Sequence, residues 1–144
     1  IDMFASEGLG LLPWGPLGGG FLTGKYVREK PVAGRIASTP KDFEESWERR
    51  NTARNWQIMD ELGEVAERYG ATPSQTAIAW LLAKKVVASA ILGVRTLAQL
   101  EDNLNAANLV LAPEDVAALD QVSALPELYP YRMIEDYSSR NLDG

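Results

Sequence analysis

Apolar positions along this chain follow two rhythms. Leu9-Gly10-Leu11-Leu12-Pro13-Trp14 is an almost unbroken apolar run, the pattern of a strand buried on both faces. Val86 to Leu92 is a second short run, rich in β-branched residues and ending at Gly93. Between them the period changes. Ile58, Leu62, Val65 and Tyr69 recur at helical spacing, and Trp56, Met59 and Ala66 widen the stripe up to a natural stop at Gly70. Thr72-Pro73-Ser74-Gln75 has the form of a capping box with proline at the first helical position. It predicts a helix running through Lys84 or Lys85 with Ile78, Leu81 and Leu82 on its inner face. A second capping box, Thr96-Leu97-Ala98-Gln99, opens the next helix. Pro113-Glu114-Asp115 opens a last one carrying Val116, Leu119 and Val122, although Ala112 is a poor N-cap.

The resulting order is strand, loop, helix, helix, strand, helix, helix. Strands separated by helices of this length predict right-handed β-α-β units in a parallel sheet. Two parallel strands, however, can neither close a barrel nor make a well-covered sheet. Val27 to Lys41 is polar, punctuated by Pro31, Gly34 and Pro40, and reads as a surface loop or lid, or as a plain connector. No internal repeat or low-complexity tract divides the chain. Ile1-Asp2-Met3 lacks an initiator methionine, and Phe4 to Glu7 read as the last turn of a helix ending at Gly8. The expectation is a single partial domain over residues 1–144 that begins mid-domain.

Composition narrows the function classes. The 144 residues are 46% hydrophobic and 24% charged, ordinary for a globular domain with a real core. The net charge of −6 argues against a nucleic-acid partner. An anionic ligand must therefore be held by local cations and N–H groups. No apolar run approaches the roughly 18 residues of a membrane span, and no signal peptide is visible. Zero cysteine excludes disulfides and fits a cytoplasmic location. Zero histidine removes Ser-His and Cys-His pairs and the commonest metal ligand.

The candidate chemistry lies in Gly15-Pro16-Leu17-Gly18-Gly19-Gly20-Phe21-Leu22-Thr23-Gly24-Lys25. Bare backbone, a fixed turn and a terminal cation can bring main-chain N–H groups close to a phosphate. Gly19 to Lys25 fits the spacing of a P-loop, but Tyr26 stands where a magnesium-binding hydroxyl belongs, and no helix follows. A G-x-G-x-x-G fingerprint matches only loosely. A flexible loop between barrel elements is the plain alternative. The second segment, Gly93-Val94-Arg95-Thr96, then Gln99, Asp102 and Asn103, sets an arginine beside a capped helix start, a natural site for a phosphate monoester. Gln99 and Asn103 lie four apart on one helix face, in reach of an adenine edge and its ribose. Taken singly, Gln99 is a capping-box partner and Arg95 a solvated cation.

Together these segments resemble the aldo-keto reductases. Trp14-Gly15-Pro16-Leu17 with Gly20, Leu22, Gly24, Lys25 and Tyr26 is similar to that family's loop after the seventh barrel strand. Gly93 to Asn103 resembles the loop and helix after the eighth. Ala66 to Gln75 with Ala77 to Leu82 resembles the seventh helix, and Tyr129-Pro130-Tyr131 a C-terminal tail over residues 125–144. The resemblance implies an α/β fold, the C-terminal portion of a (β/α)8 TIM barrel comprising its last two strands and their helices, whose rim holds NADPH. It implies that Gly15, Pro16, Leu17, Gly18 and Gly19 line the pyrophosphate path, with Lys25 closing over it, Trp14 near the nicotinamide and Arg35 in the 27–41 lid as a clamp. Arg95 and Thr96, beside Gly93, would recognise the 2′-phosphate, and Gln99, Asp102 and Asn103 the adenosine. Two positions depart from the pattern: Gly15 replaces a serine and Asp102 a glutamate. The family reduces aldehydes and ketones by hydride transfer, using a tyrosine, lysine, aspartate and histidine from earlier strands. None of these is recognisable here, so the chain carries no catalytic residue and is inactive by itself. The implied partners are a small carbonyl substrate and a missing N-terminal half of the barrel or a partner chain. Two other readings stay open: a non-catalytic NADPH-sensing subunit resembling channel β subunits, and a half-barrel interaction module.

Overall fold

In a computed structural model, residues 2–30 and 34–125 are described. Helices α1 (Asp2–Ser6), α2 (Arg35–Ser38), α3 (Trp47–Arg50), α4 (Ala53–Arg68), α5 (Pro73–Leu82), α6 (Leu97–Asn105) and α7 (Pro113–Ser123) are joined by 3-10 turns at Gly18–Thr23 and Ala106–Asn108. The Tyr129-Pro130-Tyr131 tail lies outside the described residues.

The link between α4 and α5 shows why the sequence folds where it does. At the end of α4, Gly70 adopts φ 59°. Its N–H donates to the Glu67 carbonyl and that of Ala71 to Ala66, the paired bonds of a Schellman stop. Two residues later the Thr72 side chain accepts from Gln75 N–H while the Gln75 side chain accepts from Thr72 N–H, the full capping box. Stop and start are therefore adjacent, and α5 folds back on α4. Gly8 ends α1 in the same way, its N–H donating to Ala5 and that of Leu9 to Phe4.

Met59, Leu62, Val65 and Ala66 of α4 are buried, as the helical stripe predicts. Each large aliphatic side chain removed from water here contributes about 1.5–3 kcal/mol. Leu119 of α7 and Phe21 of the first 3-10 turn complete the core, and Phe21 centres an aromatic group with Tyr26, Trp47 and Trp56. Helix α5 is packed by α4, α6 and both 3-10 turns. That surrounding corrects the expected inner face. Small Ser74, Thr76, Ala77 and Ala79 are buried with Ile78, whereas Leu81 is half-buried and Leu82 exposed. The helix also ends at Leu82, before the lysines, because Ala83 N–H and then Lys84 N–H close the last turn. Within the expected loop at 27–41, α2 adds one helical turn pinned by fully buried Ile36.

The two expected strands are reduced to isolated parallel bridges, Leu11 with Val87 and Trp14 with Ile91. Leu11 N–H donates to Val86, Ala88 N–H to Leu11 and Ile91 N–H to Pro13. Three residue steps separate the bridges on one segment and four on the other, leaving one residue over as in a bulge. Pro13 has no N–H to extend the ladder. Burial on both faces is also overturned, since Leu12, Trp14 and Ile91 are more than half exposed. Among the described residues no further strand pairs with either edge, so the ladder has nothing to grow on.

Candidate functional site

The first wall of the site is the glycine segment. Gly18 N–H donates to Gly15, Gly20 N–H and Leu22 N–H both to Leu17, and the Thr23 hydroxyl to Gly20. Gly18, Gly19 and Gly20 take φ of 56°, 68° and 94°, three successive left-handed positions that only glycine adopts at little cost. The chain thereby curls into a tight concave turn. A Cβ on Gly20 would stand 3.0 Å from Lys25 Nζ, so bare backbone is what lets the ammonium lie against the turn. Lys25 is further placed 4.9 Å from the Tyr26 ring centroid.

The second wall is the entry to α6. Thr96 caps the helix by accepting from Gln99 N–H. The reciprocal bond differs from the expected capping box: Gln99 Oε1 accepts from Arg95 N–H, not from Thr96 N–H. Gln99 thereby holds the backbone of the arginine itself. Asp102 also differs from expectation. Its carboxylate accepts from Thr72 Oγ1 at 3.1 and 3.2 Å and from Gln75 Nε2 at 2.9 Å, joining α6 to the capping box of α5. The short aspartate is thus committed to the neighbouring helix start, a role no local sequence signal announced. Asn103 is buried beside it.

Between the walls lies a cleft of about 500 Å³. Trp14, Gly15, Pro16, Leu17, Gly19 and Lys25 line it from the first segment. Gly93, Arg95, Gln99, Asp102 and Asn103 line it from the second. Two of the expected residues stand apart. Gly18 lines a separate apolar cavity of about 330 Å³ between α4, α5 and α7, and Thr96 acts as the α6 cap outside the lining. Arg35 opens α2, and its side chain lies outside the described ones. Gly20 and Thr23 of the glycine segment also line the cleft, and Gly34, Glu45 and Ser74 join it from outside both expected segments. Glu45 was recoverable in part, because Ser46 is an N-cap signal that fixes the turn before α3.

Away from the cleft, α4 and α7 share a polar clamp. Tyr69 Oη donates to Asp115 at 2.6 Å and accepts from Ala112 N–H, while Arg68 reaches Asp115 at 2.5 Å. The Ala112 N–H is thereby satisfied, while no side chain caps the first turn of α7. Hydrogen bonds from Tyr69 and then Arg68 hold the Asp115 carboxyl below the ordinary carboxylate range, against desolvation, and the same carboxylate pushes the Tyr69 phenol up. Among the described residues no cluster of acidic side chains could hold a metal ion, and no helix is long and apolar enough to cross a membrane.

Residues 1–124 match the Aldo/keto reductase family. The chain is 31% identical over 137 residues to an L-glyceraldehyde 3-phosphate reductase of Escherichia coli O157:H7, covering 94% of this chain and 40% of that protein. It is 34% identical over 126 residues to the protein tas of Escherichia coli K12, covering 87% and 34%. It is 32% identical over 117 residues to a Schizosaccharomyces pombe protein named as a candidate voltage-gated potassium channel subunit beta, covering 80% and 34%. The chain therefore spans 34–40% of the length of these curated relatives.

Proposed function

Because the chain belongs to the Aldo/keto reductase family, we propose that it is the NADPH-binding, C-terminal part of a carbonyl-reducing (β/α)8 barrel, contributing the last two strands and their helices. The observation that carries this reading is the cleft, which sets the glycine turn and Lys25 on one side and Arg95 at a capped helix entry on the other. The donor set suits a dinucleotide carrying an extra phosphate. Backbone at Gly15 to Gly19 admits a pyrophosphate closely, Lys25 neutralises it, and Arg95 offers planar paired donors to a monoester.

When bound, NADPH supplies a hydride to the carbonyl carbon of an aldehyde or ketone. This chain's residues hold and orient: Trp14 flanks the nicotinamide end, Lys25 and Arg95 fix the charged middle and far end, and Gln99 and Asn103 meet the adenosine. Asp102 serves differently, setting the position of α6 through Thr72 and Gln75. The proton donor and the residues that tune it belong to the N-terminal portion of the barrel, which also completes the substrate pocket. The protein is placed in the cytoplasm on this reading.

The test is Arg95→Ala in the complete protein, read by NADPH and NADH fluorescence titration. A charge-assisted pair of this kind is worth about 1.5–3 kcal/mol, so NADPH affinity should fall roughly 10- to 150-fold while NADH changes little. Equal losses for the two would remove Arg95 from the 2′-phosphate. A second reading, a non-catalytic NADPH-sensing subunit, is favoured by the 32% identity to the fission-yeast protein. It shares the cleft and differs only in lacking carbonyl turnover, so a steady-state assay with simple aldehydes separates the two.

A further inference from the structure

Resting on the reading that this cleft holds NADPH, we infer that Glu45 is an internal anion seated on the glycine turn, and that nucleotide binding displaces it. A Cβ placed on Gly19 would meet Glu45 Cβ at 3.3 Å and its Oε2 at 3.5 Å, and one on Gly15 would meet Oε1 at 3.6 Å. The carboxylate thus covers the backbone across which a pyrophosphate would run. Its neighbours in the lining explain why it matters. Among the described side chains that line the cleft there are two cations, Lys25 and Arg95, and two carboxylates, Asp102 and Glu45. Asp102 is held on the far wall by Thr72 and Gln75, so Glu45 is the negative charge on the phosphate side.

Glu45 is aimed there by a rigid turn. Phe43 N–H donates to Pro40, Ser46 N–H to Phe43 and Ser46 Oγ to Lys41. Ser46 is completely buried and caps α3, and the next residue, Trp47, packs 5.7 Å from Tyr26. The backbone on both sides of Glu45 is therefore fixed, while its own side-chain torsions remain the means of release. A carboxylate and a phosphate compete for the same donors and repel each other at contact distance. Glu45 accordingly weakens the apparent affinity of any ligand that must displace it, and a multiply charged phosphate offsets that cost by what it gains from Lys25 and the turn.

The experiment is NADPH titration and stopped-flow binding for the complete protein and for Glu45→Gln, with Glu45→Ser as a second variant. Glu44→Gln serves as a charge control, since Glu44 is adjacent to Glu45 in sequence, exposed and paired with Arg49. Circular dichroism establishes that each variant is folded. Glu45→Gln and Glu45→Ser should bind NADPH at least about fivefold more tightly, mainly through faster association, and Glu44→Gln should match the wild type. Unchanged or weaker binding by both Glu45 variants, while the wild type binds NADPH, overturns the inference and leaves the NADPH reading standing. An equal gain in Glu44→Gln also overturns it, by showing a general charge effect. Failure of the folded wild type to bind NADPH overturns the NADPH reading and this inference with it.

Discussion

Replacing Asp102 by alanine tests how the two walls of the cleft are held together. Its carboxylate accepts from Thr72 Oγ1 and Gln75 Nε2, both in half-buried surroundings. Hydrogen bonds to a charged acceptor are worth about 1.5–3 kcal/mol each when well sheltered, and partial exposure reduces each here to about 1 kcal/mol. Thr72 and Gln75 keep their bonds to one another in the capping box, so α5 itself survives. The expected loss is therefore about 1.5–2 kcal/mol, measured as a lower urea midpoint at constant slope. Asp102→Asn retains one acceptor and should lose about half as much. A Thr72→Ala, Asp102→Ala double-mutant cycle should show a coupling above about 0.5 kcal/mol. A loss for Asp102→Ala below about 0.5 kcal/mol, the range of ordinary surface changes, would refute the assignment of Asp102 as the fastening between α5 and α6.

Gly24→Ala should destabilise by about 1–3 kcal/mol in the same assay. Gly24 sits at φ 75°, and the added Cβ would lie 3.0 Å from Pro73 Cγ at the start of α5. A change below about 0.5 kcal/mol would show that the turn relaxes freely. The Asp115 clamp predicts two opposite pH effects. A carboxyl held down in the folded state stabilises fully above its unfolded value, and that contribution is lost as pH falls below roughly pH 4. The Tyr69 phenol, pushed up, stabilises below its unfolded value near pH 10 and loses this as pH rises further. Tyr69→Phe should shrink both limbs of a pH–stability profile, and an unchanged profile would rule the clamp out as their source.

The local signals that proved accurate are those in which a few adjacent residues contain their own partners. The Gly70 stop, the Thr72–Gln75 box and the stripe on α4 are closed within one or two turns, and each is found where its residues place it. Apart from the Gln99 bond at the start of α6, which moved by one residue, the expectations that changed depended on distant neighbours. Whether Leu12 and Trp14 are covered is decided by elements beyond their own segment. The inner face of α5 is set by helices on several sides, which favours alanine and serine over Leu81 and Leu82. Leaving Arg35 aside, eleven of the other thirteen expected binding residues line one cleft, because the glycine turn and the Arg95 entry both pack on α5. The Ser46 cap signals only the turn that carries Glu45, while the reach of Glu45 to the glycine turn and the diversion of Asp102 each act across a gap that no local period records.

Helix α5 therefore works as a caliper. The glycine turn rests on one of its flanks and α6 on another, with Ser74 forming part of the floor between them. The jaw opening between Lys25 and Arg95 is a dimension of the helix in the middle, whose buried positions are filled by Ala77, Ala79 and other small residues. A single enlarged side chain on that helix would reset the gauge of the cleft while leaving every residue that lines it unchanged.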